Sequence, residues 1–213
     1  GTKRETEVLE AVRQVVDFFL KKHVKALVVA CNTASAVAAQ SIRSELSLPV
    51  IAMEPALKPA SEVRKNGKIL VLATPMTLKL KKFQDLYARY GKDAIPVACP
   101  GLMELVEQEA PDAAEMYLRE AFSRYDPDTL DAVVLGCTHY VFLKSIIKKL
   151  LPQHTQVLDG NAGTARQLHH VLLERNLLRA KGPGDYKLFT SGDAGTVIPQ
   201  MERLLESLDE LPS

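Results

Sequence analysis

Two unbroken apolar runs set the pattern of this chain: Ala26-Leu27-Val28-Val29-Ala30 and Ala132-Val133-Val134-Leu135-Gly136. Neither alternates with polar residues, which predicts strands buried on both faces of a parallel sheet. Each run stops at a small residue, passes into a polar triplet, Cys31-Asn32-Thr33 or Cys137-Thr138-His139, and then into a helical pattern. Between and around them the pattern switches repeatedly between strand and helix. Val8, Val12, Val15, Val16, Phe19 and Leu20 follow the 3.6-residue period of a helix ending near Lys22, with Thr6 as a candidate cap. Lys25 to Ala30 is the first strand, Thr33 to Leu46 a helix closed by Pro49, and Val50 to Met53 a second strand. A fresh unit begins after Glu54-Pro55 and Lys58-Pro59: strand Lys68 to Ala73, helix Leu78 to Tyr90 stopped by Gly91, and strand Ile95 to Cys99 ended by Pro100. Helices over Leu102 to Gln108 and Ala113 to Tyr125 lead to the strand centred on Val133 to Leu135 and the helix Phe142 to Leu151. Strand Gln156 to Asp159, helix Ala162 to Asn176, a Gly/Pro loop, strand Lys187 to Thr190 and helix Val197 to Leu208 complete the chain.

This alternation predicts an α/β architecture with two pseudo-symmetric lobes, each a mainly parallel sheet flanked by helices, and a site between them. The Pro-rich stretch from Glu54 to Pro59 is the candidate crossover. It places residues 1–54 plus 161–213 in the first lobe and 55–160 in the second.

Composition narrows the function class. With 213 residues, 46% of them apolar, the chain has material for one large or two small cores. Its 27 basic and 26 acidic residues are interspersed, and no basic block is laced with aromatics, so nothing points to nucleic acid. No run approaches the ~20 apolar residues of a membrane span, and no signal-peptide pattern opens the chain; a cytoplasmic location is expected. Three widely spread cysteines do not read as a secreted disulfide framework.

Cys31 and Cys137 both fall where a strand hands over to a helix. Ligands of α/β sheets bind at such carboxyl ends, and the field of a helix N-terminus favours anions and thiolates. Taken one at a time, each cysteine reads as a small core residue, the commonest fate of a free thiol. As a pair, each followed by polar side chains needing partners, they read as a candidate base and nucleophile set. A redox pair would lack a Cys-x-x-Cys motif, and a metal site at Cys137-x-His139 would lack two further ligands. Cys99, followed by Pro100, reads as structural. His139, two residues from a candidate thiol, can hydrogen-bond it or move its proton. Glu107 reads as a solvated helix charge on the residues alone. Thr74 and Thr77, after the strand Lys68 to Ala73, could cap the next helix or hold an anion, capping being the commoner role. No Gly-rich segment matches a phosphate-binding loop.

Ala30-Cys31-Asn32-Thr33-Ala34-Ser35-Ala36 and Leu135-Gly136-Cys137-Thr138-His139-Tyr140 closely resemble the two cysteine motifs of the aspartate/glutamate racemase family. Glu54-Pro55-Ala56-Leu57-Lys58-Pro59-Ala60, Ala98-Cys99-Pro100 and Thr190-Ser191-Gly192-Asp193 extend the resemblance over nearly the whole chain, and the Glu-Pro-Ala segment leans to the glutamate branch. The resemblance implies a cofactor-independent enzyme in which one thiolate removes the substrate α-proton while the opposite thiol protonates the other face. It implies interconversion of L- and D-glutamate, supplying D-glutamate for bacterial peptidoglycan. Cys31 would act on the D-enantiomer and Cys137 on the L-enantiomer, with His139 and Glu107 assisting Cys137. Asn32, Thr33 and Thr138 would hold the α-amino and carboxylate groups, Thr77 likewise, with Thr74 and Gly1 also counted as substrate-binding.

The expected partner is the small-molecule substrate, with no nucleic acid and no membrane; a homodimer is left open. The family opens with a strand carrying Asp-Ser-Gly and then a Pro-Tyr-Gly segment, whose end Gly1-Thr2-Lys3 resembles. By that resemblance the chain as written lacks the Asp expected to help Cys31. Val141 stands where proline is usual and Gly160 where serine is commoner. Racemisation of aspartate or a related amino acid, and a non-catalytic binding protein on the same fold, are the alternatives.

Overall fold

The computed structural model describes residues 4–179, 182 and 184–209. The chain divides into two compact units, Gly1–Leu177 and Leu178–Ser213. In the first, helix α1 (Glu5–Leu20) precedes strand β1 (Leu27–Val29), helix α2 (Asn32–Glu45) and strand β2 (Val50–Ala52). The first helix starts two residues earlier than the Thr6 cap predicts: Arg4 is the cap, and its backbone N–H donates to the Glu7 carboxylate at 2.6 Å. β1 and β2 pair in parallel, Val28 opposite Ile51. Their core is aliphatic: Val16 of α1, Ala38 and Ile42 of α2, Leu27 and Val50 of the strands. Among the described residues β1 pairs on one side only, and a groove of about 530 Å³ lined by Val8, Val12, Val15, Phe19 and Val28 runs beside it.

The chain then enters helix α3 (Leu57–Val63), strand β3 (Lys68–Ala73), helices α4 (Pro75–Lys79) and α5 (Lys81–Tyr90) and strand β4 (Ala94–Ala98). Pro59, expected to punctuate, lies in the first turn of α3, where its missing N–H deprives the helix of nothing. The single helix expected over Leu78 to Tyr90 is two. Thr74 caps the first through its hydroxyl and Pro75 opens it, while extended Leu80 separates it from the second. Helices α6 (Leu102–Glu107) and α7 (Pro111–Phe122), strand β5 (Leu130–Leu135), a 3-10 turn (Thr138–Leu143), helix α8 (Lys144–Leu150), strand β6 (Gln156–Asp159) and helix α9 (Asn161–Glu174) follow.

Strands β3 to β6 form a second, wholly parallel sheet in the order β4-β3-β5-β6. Its two central strands are apolar on both faces, as the lack of alternation requires. Ile69, Val71, Ala132 and Val134 pack against Ala56, Leu57, Ala60 and Phe83. Leu70, Leu72, Val133 and Leu135 point to the other face, all at most 2% exposed. Because the strands are parallel, the segments following β3, β4 and β5 emerge side by side at one edge of the sheet, and they carry Thr74, Cys99 and Cys137.

In the second unit, helix α10 (Ala194–Asp209) is the regular element. Asp193 opens it, accepting from the Val197 backbone N–H through its carbonyl and from Thr196 Oγ1 through its side chain. The strand expected over Lys187 to Thr190 is not formed among the described residues; these residues carry no ladder partner. An apolar and aromatic composition suits a strand, but only a neighbour's hydrogen bonds make it one.

Candidate active site

Cys31 and Cys137 occupy equivalent places. Each lies two residues beyond the end of a parallel strand, β1 or β5, and each immediately precedes a helical segment. Their backbones are extended alike, φ −140° and ψ 127° at Cys31, φ −133° and ψ 139° at Cys137. Extended backbone before a helix aims the side chain away from the helix axis while leaving the first N–H groups of the turn unpaired within it.

The approach of β5 to the site is set by Gly136. Its N–H donates to the Leu72 carbonyl at 2.7 Å, and a Cβ there would stand 2.8 Å from that oxygen and 2.9 Å from the Ala73 Cβ. Only glycine lets the chain run this close to β3 before it turns at Cys137.

The surroundings of the two thiols differ. Cys137 is buried, and burial pushes its thiol up to about 11; the backbone N–H groups of His139 and Tyr140 oppose that shift, while a charged Cys31 would add to it. The last effect shows that the two sulfurs lie within electrostatic reach of each other. Cys137 Sγ lies 3.8 Å from His139 Nδ1, and His139 Nε2 lies 3.1 Å from Glu107 Oε1. A carboxylate only accepts, so Nε2 carries the hydrogen and the Nδ1 lone pair faces the thiol. Glu107, which the residues alone presented as a solvated helix charge, thus ends a chain of three side chains from α6 to the turn after β5.

Asn32 opens α2 beside Cys31 and is 5% exposed. Its Oδ1 is the one buried side-chain oxygen or nitrogen among the described residues without a hydrogen-bond partner. Such an acceptor costs about 1–3 kcal/mol unless a donor meets it. Thr33 joins the first sheet's helix to the second sheet: its Oγ1 lies 2.7 Å from Thr77 Oγ1 and 3.4 Å from Thr74 Oγ1, and the latter two are 2.9 Å apart. Thr77 N–H donates to Thr74 Oγ1 at 3.2 Å, so Thr74 is a helix cap and a member of the hydroxyl cluster at once. Thr138, half-buried at the start of the 3-10 turn, makes no side-chain hydrogen bond among the described residues. Gly1 lies outside the described residues.

Cys99, expected to be structural, is 2% exposed, and burial pushes its thiol up to about 12. The residue that sequence reasoning passed over is Tyr140. It is wholly buried, and its hydroxyl donates to the Cys99 carbonyl at 3.2 Å. The available signal was a bulky aromatic three residues after a candidate thiol, two residues before the predicted helix Phe142 to Leu151. Among the described residues no three His, Cys, Asp or Glu side chains gather as a metal site, and no helix is long and apolar enough to cross a membrane.

Known proteins place this arrangement. A glutamate racemase of Clostridium botulinum (strain Kyoto / Type A2) is 42% identical over 203 residues, covering 93% of this chain and 79% of that protein. A crystal structure of a glutamate racemase isoform from Bacillus anthracis superposes with a TM-score of 0.83 at 30% identity, covering 96% of this chain and 79% of that one. The Escherichia coli glutamate racemase, solved in complex with L-glutamate and the activator UDP-MurNAc-ala, gives a TM-score of 0.80 at 28% identity, over 95% of this chain and 80% of that one. Residues 1–168 match the family described as Asp/Glu/Hydantoin racemase, and with relatives this similar the α/β chain, its parallel sheets flanked by helices, belongs to that family.

Proposed function

We propose that this chain interconverts L- and D-glutamate by moving the α-proton between two thiols, without a cofactor, and that it does so in the cytoplasm to supply D-glutamate for peptidoglycan. The observation that carries the reading is the paired placement of Cys31 and Cys137, in matching backbone conformation and within electrostatic reach. Inverting a stereocentre needs a base on one face and an acid on the other, and two equivalent thiols on two separate sheets can serve both directions. The lobes are then 1–54 plus 161–213 and 55–160, with the β1–β2 sheet in one and the β3–β6 sheet in the other.

In this reading Asn32 Oδ1 accepts from the substrate ammonium. Thr33, Thr77, Thr74 and Thr138 offer hydroxyls to its carboxylate, and Gly1 belongs with them by family position. The raised Cys137 thiol suits the protonated member of the pair. Stripping its proton at pH 7 costs about 5 kcal/mol at ~1.4 kcal/mol per unit. His139, its Nδ1 lone pair facing the sulfur and Glu107 behind it, offsets part of that cost when Cys137 acts as the base on L-glutamate. Repulsion between two thiolates keeps one thiol protonated while the other is charged, which is the state a two-base exchange needs at each turnover.

The test is α-proton exchange followed by NMR in D₂O, starting separately from L- and D-glutamate with no added cofactor. The protein is expected to incorporate deuterium from both enantiomers and to form the opposite isomer. Cys31→Ser and Cys137→Ser should each lose about 10²–10⁴-fold in racemisation, the span of one acid/base group, while keeping the fold. Full turnover in both single variants, or no exchange by the unmodified protein, would overturn the reading.

A further inference from the structure

The Cys137–His139–Glu107 chain is built from two separate segments. Cys137 and His139 sit on the turn after β5; Glu107 ends α6, which follows β4. Beside the packing of α6 on the Thr138–Leu143 turn, a polar link between the segments is the His139–Glu107 pair, with Glu107 54% exposed. A contact so open to water is too weak to hold two elements in register.

We propose that Tyr140 is the positioning residue that holds them. Its ring is wholly buried and its hydroxyl donates to the Cys99 carbonyl, 3.2 Å away, tying the Cys137 turn to the end of β4. Both ends of the tie are fixed. The Tyr140 backbone N–H donates to the Cys137 carbonyl at 3.1 Å, and the Cys99 backbone N–H donates to the Ala73 carbonyl at 2.9 Å. From Cys99 the path to Glu107 is short and stiff. Gly101, at φ +82°, turns the chain into α6, and Leu102 and Val106 anchor that helix in the core. α6 in turn packs on the Thr138–Leu143 turn. Burial also raises the phenol well above its ordinary range, so the hydroxyl remains a donor at every working pH. The Tyr140 side chain therefore acts through the Cys99 carbonyl rather than through a hydrogen bond to either sulfur; it sets the angle at which His139 meets both Cys137 and Glu107.

This inference rests on the two-thiol reading for its effect on turnover but not for its effect on the thiol. The experiment compares Tyr140→Phe with the unmodified protein in two assays. In the first, iodoacetamide labelling at pH 8 is followed at each cysteine by peptide mass spectrometry. Labelling of Cys137 should slow about tenfold, and its pH midpoint should rise, with Cys31 unchanged, because a small misplacement costs His139 its grip on the sulfur. On a His139→Ala background the same substitution should add nothing. In the second, kcat should fall about 10–100-fold with KM nearly constant. The loss in kcat/KM must be equal in both directions, because enantiomers have equal free energy.

Equal changes at Cys31 and Cys137 would mark general loosening and overturn the proposal. So would an unchanged or faster Cys137, or a further slowing on the His139→Ala background. Absence of racemisation by the unmodified protein would remove the function proposed above while leaving the thiol comparison to decide the role of Tyr140.

Discussion

Replacing Gly136 by alanine tests whether the seat of Cys137 is as tight as the geometry says. The added methyl would stand 2.8 Å from the Leu72 carbonyl oxygen and 2.9 Å from the Ala73 Cβ. Neither can move aside as a flexible side chain would, since both belong to β3, whose neighbours β4 and β5 hold it on either side. The strands must part, which costs about 1–3 kcal/mol as overpacking. The Gly136 N–H bond to Leu72, now 2.7 Å, stretches or breaks for about 1 kcal/mol more. Taken as ~2–4 kcal/mol in all, at about 2–4 °C per kcal/mol for a chain of this length, the melting temperature should fall by about 4–16 °C. Gly163 supplies the opposite sign. It lies in α9, a Cβ there meets nothing within 4 Å, and Gly163→Ala should gain up to ~1 kcal/mol from helix propensity. Thermal unfolding followed by circular dichroism on the three proteins checks both values. A Gly136→Ala protein that melts with or above the unmodified one would refute the reasoning, because no other term in the substitution is large enough to hide the clash.

Two further substitutions probe burial and buttressing away from the thiol pair. The Asp131 side chain accepts the backbone N–H groups of Lys65 and Gly67, each at 2.7 Å, and so fastens the loop into β3 onto β5. Asp131→Ala should cost about 1.5–3 kcal/mol in urea unfolding and Asp131→Asn less; equal stability of the alanine variant would refute the role. Burial holds the Cys99 and Cys137 thiols at about 12 and about 11 against an ordinary 9, so their contribution to stability is complete below pH 9 and is lost as the pH rises through that window. Cys99→Ala should therefore lose less stability than the unmodified protein between pH 9 and 11, the curves converging by about 2–3 kcal/mol; parallel curves would exclude the linkage.

How far the sequence disclosed this molecule follows from the range of the interaction involved. β3 and β6 run over Lys68–Ala73 and Gln156–Asp159, as their composition predicts, because buried parallel strands write their pattern in consecutive residues. The two cysteine motifs were legible for the same reason: thiol, polar triplet and following helix are contiguous. Errors arose where the deciding partner is distant or the local code is shared. Pro59 breaks a helix interior but is at home in the first turn of α3. The helix expected from Phe142 begins earlier as a 3-10 turn at Thr138, a distinction hydrophobic period does not carry. The spacing of Thr74 and Thr77 announced a cap, yet nothing in it announced that Thr33, on a different sheet's helix, would close the hydroxyl cluster at 2.7 Å. Tyr140 escaped because a buried tyrosine is read as core until the carbonyl it serves is known.

The two halves of the site need not match in chemistry for the proposed reaction to run equally well both ways. L- and D-glutamate are mirror images with the same free energy in water, so any stabilisation of the shared transition state lowers both barriers alike. What must match is the availability of one charged and one neutral sulfur, and that is an electrostatic property of the pair. Burial makes a charge on Cys137 expensive, and a charge on Cys31 makes it more so. In the proposed reaction the His139–Glu107 chain would work against both effects, and on one side only. Asymmetry is therefore compatible with a symmetric reaction: buried Cys137 has the His139–Glu107 chain beside it, and half-buried Cys31 stands beside the unpartnered Asn32 oxygen. A substitution on the Cys137 side should accordingly slow both directions together, however local its structural effect.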